Sequence, residues 1–163
     1  MQYNVKAPHL VESHWQFEEV LDGDSLIVKN LFKNEQKEIR LYGLDAPETK
    51  INRKMKEDEA KSHLPAELLL NLGFEALKFV LSVAPPKTNI TILTEQDNYF
   101  DYWNRQLGYI ILPNGDCLND LLLENGYAKA SHNYYCSRLA EFQGLNRQAQ
   151  IKKLGIYRVM RDF

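Results

Sequence analysis

A chain of 163 residues and 19.0 kDa is long enough to bury a sizeable core, and its 44% hydrophobic and 26% charged residues exclude a disordered or fibrous chain. A formal net charge of −2 and a pI near 6.1 give no global sign of a polyanion partner. The longest apolar runs, residues 79–84 and 107–113, fall short of the roughly 18 residues a membrane helix needs, so no membrane association is expected.

The first stretch, MQYNVKAPHLVESHWQFEEV, lacks the apolar core of a secretion leader, so the chain either stays inside the cell or is a mature form. Three short segments with β-branched or aromatic residues and partial alternation follow, at residues 16–21, 25–30 and 37–43. Asp22-Gly23 separates the first two and a polar run at 33–36 separates the next two, which predicts three antiparallel strands. A charge-rich polar stretch occupies 50–62. After it, Leu68, Leu72, Ala76, Val80 and Val83 recur at steps of three or four until Pro85-Pro86 forces a stop, the pattern of a helix with Gly73 as its weak point.

Strands are predicted at 88–94 and 105–112, the second ending in the turn Pro113-Asn114-Gly115-Asp116. A short helix over 118–125 is closed by Gly126 at a position suited to a left-handed cap. A last helix runs from about 137 to 153 with Leu139, Phe142, Leu145 and Ala149 on one face. Residues 137–163 carry six basic against two acidic side chains, which reads as the solvated basic face of that helix. Cys117 and Cys136 have no CxxC and no matching His spacing, so they give no zinc site, and nothing supports a disulfide.

Without repeats or a low-complexity linker, residues 1–163 are expected to form one domain with its core at about 16–157. The element order predicts an α+β fold: a five-stranded Greek-key barrel of the OB type, with one helix between strands 3 and 4 and two C-terminal helices. Barrels of this kind hold oligonucleotides or oligosaccharides, but the architecture does not decide the chemistry.

Two acidic clusters lie at predicted strand ends, where a barrel presents side chains at its rim. Asp22-Gly23-Asp24 alone is a good hairpin turn, and Asp45-Ala46-Pro47-Glu48-Thr49 alone is a good Pro-containing turn or helix cap. Together Asp24, Asp45 and Glu48 offer an all-oxygen set with no His or Cys nearby, suited to a hard cation such as Ca²⁺ or Mg²⁺. A set so sparse would bind the ion weakly and leave room for substrate oxygens. Arg40, on the strand that delivers the second cluster, and Arg105, opening a later strand, could supply the planar fork that grips phosphate. Their odd spacing places Arg40 and Asp45 on opposite faces of an ideal strand, so the chain must turn between them.

The blocks VLDGDSLIV, IRLYGLDAPETK, DYWNRQLGYI and LNDLLLENGYAKA stand in an order and at gaps that resemble the staphylococcal nuclease (thermonuclease) family. The resemblance spans residues 20–157, and the block R-x4-D-x-P-E-T is its most specific part. It implies a Ca²⁺-dependent phosphodiesterase on an OB barrel, using one weakly bound ion and cutting DNA and RNA to leave 3′-phosphates. It implies Asp24 and Asp45 as calcium carboxylates, the Ala46 carbonyl as a further ligand, Glu48 as general base, and Arg40 and Arg105 as the clamp on the scissile phosphate.

Departures from the family pattern are local. Ala46 stands where Thr is frequent, and Trp103-Asn104 replaces a Tyr-Gly pair. His132 falls at a tyrosine of the base pocket and is followed by Tyr134 and Tyr135. These rings, with Trp103, are the candidates for nucleotide stacking, which tolerates sequence change. The segment between Glu48 and Arg105 is longer than in the family's type protein, mostly over 51–64. A monomer is expected, with DNA and RNA as substrates; the competing reading is a non-catalytic barrel that binds single-stranded nucleic acid or a protein.

Overall fold

The computed structural model describes residues 3–161. Its centre is a closed barrel of five strands: β1 (His9–Asp22), β2 (Ser25–Asn30), β3 (Gln36–Leu41), β5 (Asn89–Glu95) and β6 (Gln106–Ile111), in the spatial order β1-β2-β3-β6-β5. All neighbours are antiparallel except β3 and β6, which run parallel from Ile39 opposite Gln106 to Leu41 opposite Gly108. This is the strand order expected of the OB barrel. Phe17, Leu26, Val28, Ile39, Leu41, Ile92 and Ile110 fill its interior.

Closure depends on β1, which is long enough to pair with β2 along one half and β5 along the other. Its pairing shifts register between Glu12 and Trp15, where His14 adopts a positive φ of 67°, and the irregularity bends the strand around the barrel. The sequence reading places this strand at 16–21 only. Residues 9–14 are exposed or half-buried on both faces, so they show no inward alternation to read.

Between β3 and β5 the chain makes β4 (Leu44–Asp45), α1 (Arg53–Ser62) and α2 (Ala66–Val83). The expected helix is α2, and Leu72, Ala76 and Val80 do face inward, joined by Leu69 in place of Leu68. The second helix, α1, covers the stretch read as polar connection. It buries only Met55, so it has no apolar stripe; Asn52 starts it by accepting from the Met55 amide at 2.9 Å. After β6 come α3 (Leu118–Glu124), β7 (Lys129–Ala130), a single turn at His132–Tyr134, and α4 (Leu139–Ile151). Gly126 closes α3 with φ +75°, as its position suggests. Strands β4 and β7 pair over two residues each, too short to leave a pattern, and they tie the start of the acidic loop to the turn before α4.

Asn119 on α3 is fully buried and knits helix to barrel: its amide nitrogen donates to Tyr42 O and Gly108 O at 3.2 Å, and its oxygen accepts from the Ile110 amide. Cys117 and Cys136 are buried and unpaired, and burial raises their thiol pKa values to about 12 and about 11. A thiol reagent at neutral pH is therefore expected to label neither in the folded protein and both after denaturation; rapid labelling of the native protein would contradict this burial.

The glycine that weakens the helical pattern has a packing reason. A Cβ on Gly73 would stand 2.1 Å from the Glu48 carbonyl oxygen and 3.1 Å from that of Pro47. Only a bare α-carbon lets α2 lie this close beneath the acidic loop. Alanine normally favours a helix over glycine by about 1 kcal/mol, so Gly73→Ala tests which effect wins. The contact is with backbone that cannot swing aside, so a net loss of about 1–3 kcal/mol is expected. Thermal melting would show it as a Tm lower by about 2–4 °C for each kcal/mol; an unchanged Tm would refute the close approach.

Candidate active site

Hairpin β1–β2, the end of β3 and the loop after β4 meet at one rim of the barrel. Arg40 alternates with the interior residues Ile39 and Leu41 and so lies on the outer face of the barrel, directly across the strand pair from Ser25, where the loop after β4 buries it to 3% exposure. Its Nη1 donates to the carbonyls of Leu41 and Leu44 at 3.0 Å and, longer, to that of Asp24 at 3.4 Å. Its Nη2 lies 3.1 Å from Asp45 Oδ1 and 3.2 Å from Asp24 Oδ2. The turn demanded by the odd spacing is made at Gly43, φ +71°, which brings Asp45 back beneath the residue five positions earlier. The Tyr134 ring covers the guanidinium at 3.6 Å.

Asp24 belongs to a hairpin turn and to the site at once. Its Oδ2 also accepts from the Ala46 amide at 2.8 Å, which fixes the start of the loop. Asp22 fixes the loop's end: its Oδ1 accepts from the Thr49 hydroxyl at 2.6 Å and from the Thr49 amide at 3.2 Å. The sequence reading names neither member of this latch as functional, although both lie in the blocks it singles out.

Glu48 is partly exposed and held from the side of α1. Asn52 Nδ2 donates to its Oε2 at 3.0 Å, and Lys54 Nζ lies 3.0 Å from its Oε1. Lys54, absent from the sequence-based set, also reaches Asp45 Oδ1 at 2.8 Å and the Ala46 carbonyl at 3.0 Å. Nothing in the sequence distinguishes it from the neighbouring lysines of a charged helix. Burial works against its charge, but Asp45, Asp24 and Glu48 outweigh that and hold the ammonium protonated well above the ordinary lysine range. Burial also opposes ionisation of Asp24, yet Arg40 and Lys54 keep its pKa below the usual carboxylate range; Asp45, facing burial and the Asp24 charge, is pushed above it.

Of the oxygens expected to hold a metal, those of Asp45 and Ala46 are therefore taken by a cation, the Lys54 ammonium, while Asp24 faces Arg40. Their chemistry fits a hard ion: two carboxylates and a backbone carbonyl, with Glu48 beside them. Among the described residues, no group of three or more His, Cys, Asp or Glu side chains is arranged as a ready metal cluster. Asp24 is turned toward Arg40 and the Ala46 amide, and Glu48 toward Asn52 and Lys54.

Arg105 stands at the end of a tight loop. Asp101 builds that loop by accepting from the amides of Trp103 and Arg105, and Asn104 takes a φ of 63°. Both acidic partners of Arg105 take its Nε, Asp101 at 2.8 Å and Glu38 at 3.6 Å. Glu38 lies two residues before Arg40 on β3, and the Trp103 ring stands 5.7 Å from the Arg105 guanidinium. The same loop pushes out Tyr102, 93% exposed, and Trp103, 67% exposed, so these rings are not core residues.

A groove of about 730 Å³ runs between this loop and α1, with Asp45 and Lys54 in its lining, Tyr102 and Trp103 on one side, and His132 and Tyr134 at its end. Arg40 and Glu48 stand just behind it, against Tyr134 and Lys54. Of the ring residues expected at the substrate, Trp103, His132 and Tyr134 line the groove. Tyr135 is exposed outside it, with its carbonyl taken by Asn98 Nδ2. Another concavity, of about 770 Å³, lies at the end of α4 beside Lys153, Arg158 and Arg161 and contains none of the candidate residues.

Comparison with known proteins places the chain in a family. Residues 38–158 match the family model described as staphylococcal nuclease homologue. The chain is 31% identical over 124 residues to Endonuclease YhcR of Bacillus subtilis (strain 168), an alignment that covers 75% of this chain and 9% of that much longer protein. With three quarters of its length matched, on a barrel whose rim gathers the acidic and basic residues of the motif, the chain belongs to the staphylococcal nuclease homologue family.

Proposed function

We propose that this chain is a calcium-dependent phosphodiesterase that hydrolyses DNA and RNA and leaves 3′-phosphate ends. The observation that carries the reading is the convergence of Asp24, Asp45 and Glu48 with Arg40 and Lys54 beside a groove flanked by exposed aromatic rings. Asp24, Asp45 and the Ala46 carbonyl would hold the ion. Bound there, calcium would supply the charge that polarises a phosphoryl oxygen.

Glu48 orients a water and takes its proton as the water attacks phosphorus, the bond from phosphorus to the 5′-oxygen breaks, and that oxygen leaves and is protonated to a free 5′-hydroxyl. Arg105, with its terminal nitrogens outside the hydrogen bond to Asp101, donates to the oxygens that gain charge as the fifth bond forms. Arg40 contributes from below, holding Asp24 and Asp45 in place and placing its positive charge beneath the phosphate. Trp103 and Tyr102 give the bases flat surfaces to stack on, worth about 1–3 kcal/mol per base.

A second reading rests on the engagement of the site itself. Arg40 and Glu48 are both committed to side-chain partners, which suits a barrel that binds single-stranded nucleic acid without cutting it.

One assay separates the two: single-stranded DNA and RNA incubated with the protein, with calcium or with chelator, followed by analysis of product ends. Calcium-dependent cleavage to 3′-phosphates is expected; retention of the strands without cleavage would favour the binding module. Arg105→Ala is the cleaner test of the clamp, because Arg40→Ala would strand two buried carboxylates at a cost of about 3–5 kcal/mol. Loss of one such donor costs about 2.7–4 kcal/mol of barrier, so kcat for Arg105→Ala should fall about a hundred- to a thousandfold. A comparable fall is expected for Glu48→Gln, and unchanged kcat in either variant would remove that residue from the mechanism.

A further inference from the structure

Lys54 reaches from α1 onto the acidic loop. Its ammonium touches three oxygens from three successive functional positions, Asp45, Ala46 and Glu48, at 2.8–3.0 Å. Two of those residues are among the three proposed to hold calcium and the third is the proposed base. The separations are those of ammonium hydrogen bonds, longer than the about 2.3–2.6 Å of a calcium–oxygen bond. The oxygens are thus spaced around nitrogen, and one positive charge already fills the centre they enclose.

Charge balance sharpens the point. Asp24, Asp45 and Glu48 are ion-paired with Arg40 and Lys54, three negative charges against two positive, so this set of five side chains is one charge short of neutral. Adding a divalent ion while Lys54 stayed would leave it one charge positive within a few ångströms. Exchanging the ammonium for the ion makes it neutral. Exchange also frees Glu48 Oε1, which a base must have available for water.

The path out is short. Lys54 lies two residues past the N-cap of α1, its side chain is 29% exposed, and it already lines the groove. Rotation of the side chain into the groove clears the site while α1 keeps its anchor, Met55 packed with Leu69, Leu72 and Ile156.

We propose that Lys54 is a tethered cation that competes with the divalent ion for this site, so that ion binding requires its withdrawal from Asp45, Ala46 and Glu48. The proposal rests on the calcium reading of the site and sets how tightly that ion is held. By this account the weakness of metal binding comes from an internal competitor as well as from a sparse ligand set.

The test is calcium affinity without substrate, by isothermal titration calorimetry of the wild type, Lys54→Met and Lys54→Gln. Lys61→Met serves as control, since Lys61 lines the same groove from the same helix and carries the same charge without touching the oxygens. Both Lys54 variants should bind calcium about tenfold more tightly or better, and Lys61→Met should stay within about twofold of the wild type. If one Lys54 variant fails to fold by circular dichroism, the other decides. Equal calcium affinity in the wild type and the folded Lys54 variant would overturn the competition and leave the calcium reading standing. Equal tightening by Lys61→Met would overturn it too, by tracing the effect to bulk charge. Absence of calcium binding in all of these proteins would overturn both the competition and the calcium reading.

Discussion

A guanidinium buried at the mouth of a barrel organises everything around it. Burying Arg40 without partners would be prohibitively costly, since an isolated charge in a low-dielectric interior loses its hydration and gains nothing in return. The cost is offset only because every side of the fork finds an oxygen: three backbone carbonyls, from Asp24, Leu41 and Leu44, and the carboxylates of Asp24 and Asp45. Those oxygens come from the β1–β2 hairpin, from β3 itself and from β4. One side chain therefore locks the β1–β2 hairpin to the adjoining β3 and β4 in a common rim, and Tyr134 seals it from the remaining side. The carboxylates are placed by the same contacts that make the arginine tolerable.

From that lock outward, the site divides into a rigid half and an adjustable half. The rigid half sits on the barrel: Asp24 bound to the Ala46 amide, Asp22 latched to Thr49, and α2 pressed under the loop at Gly73. The adjustable half belongs to α1, a polar helix with a single buried side chain, which reaches the acidic loop through Asn52 and Lys54. Glu48 lies at the boundary, its backbone fixed by α2 and its carboxylate held by α1. Elements with few apolar contacts are those that rearrange at low cost, so side-chain exchange on the α1 side disturbs neither the Arg40 lock nor the barrel.

What the sequence disclosed and what it hid follow from the same physics. The barrel strands and α2, α3 and α4 were legible because each buries one face, and burial leaves a period in the pattern. The first half of β1 and all of α1 were not, because neither has an apolar face to repeat. In the site, the rim residues Asp24, Arg40, Asp45 and Glu48 were legible through motif spacing. Lys54 was hidden because its role is created by where a polar helix ends up, and a lysine within the charged run RKMKEDEAK has no local mark. Gly73, a flaw in the helical pattern, was the one visible sign that something approaches α2 closely. Tyr135 shows the converse error: a ring adjacent to the site in sequence points out of it, since the chain turns at His132–Tyr134 before entering α4.

The overall charge bears on how such a site would hold its substrate. Proteins that grip nucleic acid chiefly through phosphates gain affinity from released counterions and carry a basic face to do so. Here the net charge is −2, Arg138 is committed to Asp120 and Arg158 to Glu75, and the groove itself is lined by Asp45, Glu57 and Asp58 as well as by lysines. Long-range attraction of a polyanion is therefore weak, and few phosphates can be neutralised at once. On the proposed nuclease reading, retention of a strand would then rest on short-range contacts: the stacking surfaces of Tyr102 and Trp103, and the arginine forks at the reacting phosphate. On the same reading, binding built this way would depend little on salt and strongly on unpaired, accessible bases.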